Sequence, residues 1–372
     1  MINMKIAMIG GHLAPALAVI DALPKDYQVL FIGRKHAFEG DAGYSLEYKT
    51  ITKLNIPFAN ITTGRLQRKF TKYTLLSLLK VLAGIVQAFS ILNSFKPDVV
   101  LSFGGYLSVP VIFTAFIMRI PIVIHEQTQE AGLANIISSF LAKKICISWE
   151  SSRKFFPKQK TVLTGNPVRN FQFSIFNFQL PKEDLPIVYV TGGSSGSHFV
   201  NILVEGCIKQ LLESYIVIHQ TGDSQVYKDF DRLQLIKDNL DPKLKERYVL
   251  KKFIDFEDVG SILNKASLVI SRAGINTVTE LISLEKPALL IPIPFSQNNE
   301  QLKNALLFRR LGLGETLTQE SLGSANFLQK VKKIVNNING YKIKDKSKTL
   351  INKNAAQKII ETIEYVKKSK KD

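Results

Sequence analysis

The feature that most constrains the fold is the alternation of short apolar runs with helical patterns along almost the whole chain. This alternation is typical of parallel β-sheets that are covered by helices on both faces. The predicted strands are Lys5–Ile9, Gln28–Ile32, Asp98–Phe103, Ile122–His125, Thr161–Leu163, Ile187–Thr191, Tyr215–His219, Tyr248–Leu250, Leu268–Ser271 and Ala288–Ile291. The predicted helices lie near Ala14–Leu23, Tyr73–Ser94, Ala131–Leu141, Phe199–Leu212, Val259–Lys265, Asn276–Leu284 and Glu300–Leu311. The sequence therefore predicts an α/β protein.

The pattern starts again near residue 187, after a stretch (167–186) that is rich in Phe, Asn and Pro and has no helical periodicity. Each half opens with a strand, a glycine turn and a helix; the turns are Gly10-Gly11-His12 and Gly192-Gly193-Ser194-Ser195-Gly196. A chain of 372 residues has room for two ordinary domains. We expect two doubly wound, Rossmann-like domains that face each other across a cleft, with a last helix at about 351–367 whose apolar face must pack on one of them.

The cysteine content and the apolar runs limit the class of protein. Cys146 and Cys207 are too few for a disulfide framework and lack the spacing of metal ligands. The start has no signal-peptide pattern. The longest apolar stretch (107–118) falls short of the roughly 20 residues that span a bilayer. We therefore expect a cytoplasmic protein without a transmembrane helix or a metal site.

The chain is strongly basic, with 49 Lys and Arg against 31 Asp and Glu. An excess of this size indicates an anionic partner, which could be nucleic acid, acidic lipid or a phosphorylated substrate. Much of the excess lies in 65–72 and in the tail 342–371, where a solvated helical face is the simplest alternative. No interleaving of basic and aromatic residues of the kind that stacks bases is present, so we expect no nucleic acid partner.

The glycine turns indicate anion binding rather than dinucleotide binding. Neither is the fingerprint GxGxxG, and no acidic residue closes the strand Tyr215–His219, so an NAD enzyme is not favoured. A turn of the type Gly-Gly-Ser-x-Gly before a helix lets backbone N–H groups approach a pyrophosphate. Glycines also serve plain tight turns, so this signal alone is weak.

Two further segments place polar groups at strand ends, where open α/β sheets bind ligands. Ser102-Phe103-Gly104-Gly105-Tyr106 carries another glycine pair, and His125-Glu126-Gln127 directly follows an apolar strand. A single His or Glu at such a position is usually a satisfied cap. Three polar residues together at a ligand-binding edge favour a functional site.

Taken in order, these residues resemble the MurG family, the lipid II-forming N-acetylglucosaminyltransferases of bacterial peptidoglycan synthesis. The resemblance covers nearly the whole chain. It is carried by Gly10-Gly11-His12-x-x-Pro15-x-Leu17-Ala18, Phe103-Gly104-Gly105-Tyr106-x-Ser108-x-Pro110, His125-Glu126-Gln127, Gly165-Asn166-Pro167-Val168-Arg169, Gly192-Gly193-Ser194-x-Gly196, Arg272-Ala273-Gly274-x-x-Thr277-Val278-x-Glu280, Pro287-Ala288 and Gln301-x-x-Asn304-Ala305. Each motif is modest by itself, but the ordered set is specific.

This resemblance implies the GT-B fold and a UDP-GlcNAc-dependent transfer to the C4 hydroxyl of the MurNAc of lipid I, with inversion. It implies an N-terminal domain (1–168) that binds the acceptor and the membrane, with the last helix packing back on it. It also implies a C-terminal domain (169–345) that binds UDP-GlcNAc. The donor contacts implied in this way are Arg169, Gly193, Ser194, Ile254, Ile275, Asn276, Thr277, Glu280 and Gln301. Of these, Ile254 would lie against uracil, Glu280 would bind the ribose hydroxyls and Gln301 would read the sugar.

The acceptor contacts implied are Gly10, Gly11, Gly104, Gly105, Tyr106 and Thr128. The transfer needs no metal or cofactor of its own, because helix N-termini and Arg169 can stabilise the departing diphosphate. His12 and Glu126 are both candidates for the general base, and an unperturbed imidazole, with a pKa near 6.5, suits that task better.

The chain departs from the family pattern in three places. The first glycine loop is about three residues shorter than the usual GGTGGH, which puts in doubt how the acceptor diphosphate is held. Thr128 replaces an asparagine and loses its amide, and Glu300 stands where His or Gln is common.

A basic and apolar segment raises the question of membrane attachment. Arg65, Arg68, Lys69 and Lys72 precede Leu75, Leu79, Leu82, Ile85 and Val86, which recur at helical spacing. Such a stripe usually faces a protein core. The alternative, which we adopt, is an interfacial helix whose apolar side lies in the acyl boundary beside lysines on anionic headgroups. The family resemblance implies an apolar patch in this region that includes Phe116. We therefore expect peripheral attachment to the cytoplasmic face of the cell membrane.

Two other functions are compatible with the motifs. A UDP-GlcNAc 2-epimerase could share the fold and the donor, although it would have no need of a basic and apolar surface. A degenerate nucleotide-sugar-binding protein is suggested by the shortened first loop.

Overall fold

The computed structural model describes residues 4–36, 44–64, 74–169, 180–193, 195–321, 323–343 and 354–369. Ser194 and the basic cluster Arg65, Arg68, Lys69 and Lys72 lie outside the described residues, as does the side chain of Leu75. The chain divides into two compact units, Met1–Arg169 with Asn352–Asp372, and Asn170–Ile351. The first division falls one residue after the boundary expected at 168.

The first unit is a seven-stranded sheet in which every strand is parallel to its neighbours. Its strands are β1 (Met4–Ile9), β2 (Tyr27–Gly33), β3 (Phe58–Asn60), β4 (Val99–Ser102), β5 (Ile122–Glu126), β6 (Lys144–Ile147) and β7 (Thr161–Leu163). Its helices are α1 (Leu13–Ala22), α2 (Leu46–Lys53), α3 (Thr74–Phe95), α4 (Ser108–Ile117), α5 (Leu133–Ser139) and the last one, α14 (Ala355–Lys368). The strand order is β3-β2-β1-β4-β5-β6-β7, so the direction of winding reverses between β1 and β4.

The second unit repeats this plan with six parallel strands. They are β8 (Ile187–Thr191), β9 (Ile216–Gln220), β10 (Tyr248–Lys251), β11 (Leu268–Ser271), β12 (Ala288–Leu290) and β13 (Gly314–Thr316). The helices are α6 (His198–Glu205), α7 (Ile208–Leu212), α8 (Asp229–Asp238), α9 (Pro242–Glu246), α10 (Phe256–Lys265), α11 (Ile275–Ser283), α12 (Glu300–Arg310) and α13 (Ser324–Asn336). The order β10-β9-β8-β11-β12-β13 reverses between β8 and β11.

The central strands are apolar because both faces of each sheet are covered. All residues of β4, β5 and β11 are buried, as expected for parallel strands between two helical layers. The predicted α/β class with two Rossmann-like domains is thereby confirmed.

Some elements differ from the prediction. The strands β3, β6 and β13 were not predicted; all are short, and β13 reads Gly-Glu-Thr at the edge of its sheet. The helix predicted at Phe199–Leu212 is two helices, because the backbone leaves helical geometry at Cys207, where φ is -142°. The apolar stretch that contains Pro110 is α4, whose first turn tolerates proline since its N–H would have no helical partner.

The last helix docks on the first unit, through buried Ile359, Ile360 and Ile363. The Tyr27 hydroxyl donates to the Glu364 carboxylate at 2.7 Å. Within the described residues, no helix is both long and apolar enough to cross a membrane.

Candidate active site

The two glycine turns predicted for the acceptor meet at the reversal point of the first sheet. Gly11 follows β1, Gly104 follows β4, and these strands are hydrogen-bonded neighbours. A Cβ on Gly11 would lie 2.3 Å from the carbonyl oxygen of Gly104, so only glycine permits this approach of the two backbones. Gly104 and Gly105 have φ values of 80° and 78°, which also favour glycine. The structure thus brings the predicted acceptor turns together at the edge where such sheets bind ligands.

His12 and His125 lie at this same edge. His12 precedes α1 and makes no capping hydrogen bond with its side chain. Burial lowers the pKa of the His12 imidazole to about 4, although part of the side chain still contacts solvent. Burial also lowers the pKa of His125 to about 4, and the nearby His12 contributes to that shift. Both rings are therefore neutral at physiological pH, and His12 is a weaker base than its unperturbed pKa suggested.

Glu126 is a buried carboxylate that organises the turn after β5. Its exposure is 1%, and it accepts hydrogen bonds from the Thr128 N–H (2.9 Å) and hydroxyl (2.6 Å), the Gly132 N–H (2.9 Å) and the Asn135 amide (2.9 Å). Both oxygens are thus engaged by four donors from residues 128–135. This arrangement also uses the Thr128 hydroxyl, one of the groups predicted to contact the acceptor.

Glu47 of α2 and Arg34, which directly follows β2, lie beside predicted acceptor residues and were not predicted as site residues. The Arg34 guanidinium lies over the ring of Tyr106, 5.5 Å from its centroid, which places a cation next to a predicted acceptor residue. The Glu47 carboxylate packs against Gly10 and Gly33 and accepts the Arg34 N–H at 3.2 Å. Burial raises the pKa of Glu47 to about 7, with Arg34 opposing the shift.

The glycine turn after β8 is held by its own hydrogen bonds. The Gly193 N–H donates to the Thr191 hydroxyl at 3.0 Å, and the Gly193 carbonyl accepts from the Gly196 N–H at 3.0 Å. A Cβ on Gly193 would meet nothing within 4 Å, so the turn borders open space. Because the Gly193 N–H is already used, we expect anion contacts here to come from N–H groups nearer the start of α6.

The start of α11 is the second predicted anion site of this unit. Gly274 is its N-cap and supplies no capping side chain, and a Cβ there would meet nothing within 4 Å. The N–H groups of Asn276 and Thr277 in the first helical turn therefore donate to no N-cap side chain. Glu280 lies one turn further along α11 and is half-buried, while Ile275 is in the core and can offer only its backbone.

Arg272 connects the loops around these two helix starts. Its guanidinium donates to the Ser197 hydroxyl at 2.8 Å, to the Ile291 carbonyl at 3.1 Å and to the Gln319 amide oxygen at 3.0 Å. The motif suggested no role for Arg272 by itself. The structure shows that it fixes the N-cap of α6 to the loops after β11 and β12.

Gln301 and Arg169 already have partners within their own units. The Gln301 side-chain oxygen accepts the Ile293 N–H at 3.1 Å, which leaves its amide group to donate to a ligand. Arg169 is the last residue of the N-terminal segment of the first unit, and its Nε lies 2.5 Å from the carboxylate of Asp21 on α1. Its predicted contact with the donor diphosphate stays a prediction.

Gln220 was not predicted as a site residue, but it is hydrogen-bonded to two predicted donor contacts, Gly193 and Ile254. Its side chain donates to the Gly193 carbonyl at 2.9 Å and accepts the Ile254 N–H at 3.1 Å. The predicted strand ended at His219 and left Gln220 outside it. The only sequence signal for this residue is a glutamine at the carboxyl end of a buried strand. Across the described ranges, no group of three or more His, Cys, Asp or Glu side chains could hold a metal ion.

Comparison with known proteins assigns the chain to a family. The model of the glycosyltransferase family 28 N-terminal domain matches residues 9–147, and that of the C-terminal domain matches residues 187–363. A Clostridium kluyveri protein named UDP-N-acetylglucosamine--N-acetylmuramyl-(pentapeptide) pyrophosphoryl-undecaprenol N-acetylglucosamine transferase is 35% identical over 369 residues, covering 96% of this chain and 97% of that protein. The chain belongs to glycosyltransferase family 28. Its similarity to a transferase of the MurG type, expected from the motifs, is confirmed over both units.

Solved structures show how far the fold extends beyond family 28. MurG of Acinetobacter baumannii is 24% identical, with a TM-score of 0.66 over 98% of this chain and 100% of that one. A UDP-GlcNAc 2-epimerase from Neisseria meningitidis, solved with UDP-GlcNAc, is 14% identical, with a TM-score of 0.61 over 97% of this chain and 99% of that one. Both similarities concern the fold alone, and they confirm its GT-B type. The choice between transferase and epimerase rests on the sequence relatives, which favour the transferase.

Proposed function

We propose that this family 28 enzyme transfers N-acetylglucosamine from UDP-GlcNAc to the C4 hydroxyl of the MurNAc of lipid I, giving the lipid II used in bacterial cell-wall synthesis, cell shape and division. The observation that carries the proposal is the 35% identity to a transferase of that name over 96% of the chain. The similarity spans both units, so it includes both of the glycine-lined sheet edges described above.

The donor is assigned to the second unit. Its sheet reverses between β8 and β11, and the starts of α6 and α11 lie at that point with a glycine before each. The partial positive charge and the N–H groups at helix N-termini stabilise the negative charge of a diphosphate. A carboxylate such as Glu280 accepts hydrogen bonds from two vicinal ribose hydroxyls, and the Gln301 amide can donate to a sugar hydroxyl. Ile254 is assigned to the uracil, and Arg169 and Ser194 to the diphosphate.

The acceptor is assigned to the first unit, at the paired turns of Gly10, Gly11, Gly104 and Gly105. Arg34 lies over Tyr106 at this edge and adds a positive charge suited to the acceptor diphosphate. We infer that Arg34 offsets the three loop residues that this chain lacks. Thr128 contributes through the Glu126 turn, since its hydroxyl is bonded to that carboxylate.

Transfer occurs by a single displacement. The acceptor C4 oxygen forms a bond to C1 of GlcNAc, the bond from C1 to the phosphate oxygen breaks, and UDP leaves with the electron pair. The hydroxyl proton passes to a general base. His12 is the better candidate because its neutral ring makes no capping hydrogen bond, whereas both oxygens of Glu126 are occupied. We therefore assign the base to His12 and the shaping of the adjacent turn to Glu126.

Membrane attachment is assigned to the outer faces of α3 and α4. Leu79, Leu82, Val86 and Phe89 of α3 are exposed, and so are Phe113, Phe116 and Ile117 of α4. The small residues of α3 face inward instead; Gly84 packs closely on Thr62 and Pro110. A contiguous apolar patch of this kind on neighbouring helices favours a membrane or protein partner. With the net charge of +18, it supports peripheral binding to an anionic membrane, which we assign to the cytoplasmic face.

The transferase and epimerase functions are separated by following UDP-GlcNAc with and without a lipid I analogue. The proposal predicts that UDP is released only when the acceptor is present. Proton NMR of the donor alone should show no conversion at C2. Appearance of the C2 epimer without acceptor would establish the epimerase function instead, and binding of the donor without either reaction would indicate a nucleotide-sugar-binding protein.

A further inference from the structure

Strand β9 of the second unit ends in a buried amide that bonds to the loops after both neighbouring strands. Gln220 is the last residue of β9, which lies between β8 and β10, and it pairs with Thr191 on one side and Lys251 on the other. Its exposure is 6%. The position therefore lies at the ligand-binding edge of the sheet, one strand away from the reversal point.

Both ends of this amide are used, and each binds a different loop. The Nε2 group donates to the Gly193 carbonyl at 2.9 Å, and Oε1 accepts the Ile254 N–H at 3.1 Å. One loop follows β8 and the other follows β10. No backbone hydrogen bond joins these two loops among the described residues, and Gln220 provides a direct polar connection between them.

The inference rests on the proposed function. If the donor binds as proposed, the two loops bind different parts of it. The glycine turn positions the N–H groups that lead into α6 and bind the diphosphate, and the segment at Ile254 contacts the nucleobase. Gly193 has a φ of 83° in a turn that borders open space, so its conformation depends on hydrogen bonds rather than on packing. A side chain that fixes the Gly193 carbonyl and the Ile254 N–H together sets the distance between the subsites for the two ends of a nucleoside diphosphate.

We propose that Gln220 is a positioning residue for the donor, which holds the diphosphate turn and the nucleobase segment in register for a nucleoside diphosphate. It acts through Gly193 and Ile254 and not by contact with the reacting atoms. Its removal therefore affects donor affinity more than turnover at saturating donor.

The first variant is Gln220→Met, which keeps the length of the side chain and removes both hydrogen bonds. Calorimetry with UDP should show at least about a tenfold loss of affinity, since each lost hydrogen bond is worth a severalfold effect. The KM for UDP-GlcNAc should rise by a similar factor, while kcat stays within about threefold. Gln234→Met is the matched control, because the Gln234 amide bonds only Asp238 of its own helix in the described structure.

The second variant, Gln220→Glu, separates the two contacts and remains informative if the methionine variant folds poorly. A carboxylate can still accept the Ile254 N–H, but it cannot donate to the Gly193 carbonyl until it is protonated. Relative to the wild-type protein at the same pH, the affinity of Gln220→Glu for UDP should be lower at pH 8 and should return towards the wild-type value at pH 5. Uridine, which lacks the diphosphate, should be bound about as well as by the wild-type protein at both values.

The outcomes distinguish this inference from the proposed function. If the wild-type protein does not bind UDP, the proposed function fails. If the wild-type protein binds UDP and the Gln220 variants bind it equally well, Gln220 has no positioning role while the proposed function stands. A pH-independent affinity ratio for Gln220→Glu, or an equal loss for uridine and UDP in that variant, would also overturn the inference.

Discussion

The Glu47 carboxylate occupies the space beside Gly10 in which any other residue would carry its Cβ. An added Cβ on Gly10 would be only 1.6 Å from Oε1 of Glu47. The acid comes from the first turn of α2 and reaches the end of β1, where the acceptor turn begins. Burial raises its pKa to about 7, so the proposed acceptor edge holds a carboxyl group that is partly protonated at neutral pH.

This relationship predicts that Glu47→Gln stabilises the protein at alkaline pH. The carboxyl has a pKa of about 7 in the folded chain and 4.5 as its ordinary value. Between these values the unfolded chain loses the proton first, so the free energy of unfolding falls as the pH rises through this window. The neutral amide avoids that loss, which we expect to amount to about 1 to 3 kcal/mol at pH 8 and little at pH 4. Urea unfolding at both pH values measures it, and a constant difference would contradict the assignment.

The base assignment predicts that His12→Ala lowers turnover by about 10²-fold or more, the usual scale for general base catalysis. The affinity for UDP-GlcNAc should change little, because His12 belongs to the first unit, to which we assign the acceptor and not the donor. Steady-state kinetics and donor calorimetry on the same preparations test both statements. Turnover that survives the loss of His12 would remove it from the base role.

Glu126→Gln is the paired variant and should act mainly on stability. The carboxylate oxygens accept hydrogen bonds from buried donors. The NH2 group of a glutamine is itself a donor and cannot accept from them, so a buried hydrogen bond is lost. We expect a loss of about 1 to 3 kcal/mol in the free energy of unfolding. If this variant unfolds like the wild-type protein yet abolishes turnover, the base is Glu126.

The ribose assignment predicts that Glu280→Ala weakens UDP-GlcNAc binding by about 1 to 3 kcal/mol, because hydrogen bonds to a charged group are lost. Glu246→Ala, at the exposed end of α9, is the control and should bind like the wild-type protein. Calorimetry gives both affinities. Equal affinities for the two variants would remove Glu280 from the ribose role.

The membrane assignment predicts that the double variant Val86→Ser, Phe116→Ser reduces flotation with phosphatidylglycerol vesicles by about tenfold or more, because two exposed apolar side chains are lost from the bound face. Leu235→Ser, which removes an exposed apolar residue from the second unit, should float like the wild-type protein. Salt should loosen attachment, given a Debye length of about 8 Å at physiological ionic strength. Equal flotation with neutral and anionic vesicles at every salt concentration would contradict the electrostatic part of this account.

The sequence was sufficient to predict the buried central strands of the two sheets, but not all of the short strands at their edges. Strands such as β8 are continuous apolar runs, and these are recognised because both faces of the strand are buried. The edge strand β13 has no such run, and its pairing with β12 depends on tertiary context. The periodicity of α3 alone is compatible with either orientation, and the exposure of Leu82 and Val86, with Gly84 and Ala88 facing inward, agrees with the interfacial helix that was expected.

The site was predictable where it depends on strand order. Gly11 and Gly104 come together because β1 and β4 are neighbours at a reversal point, which the alternation of strands and helices implies. Glu47 was not predictable, since it belongs to a helix without a clear sequence signal and contacts a glycine from a different part of the chain. The low pKa of His12 also required the structure, because it arises from burial by residues distant in sequence.

The central claim is tested most directly by the mass of a lipid I analogue after incubation with this protein and UDP-GlcNAc. The account predicts that the acceptor gains one N-acetylhexosamine, that one UDP is released for each product, and that His12→Ala slows the gain without weakening donor binding. An acceptor of unchanged mass, recovered from protein that is folded and binds UDP-GlcNAc, would contradict the account.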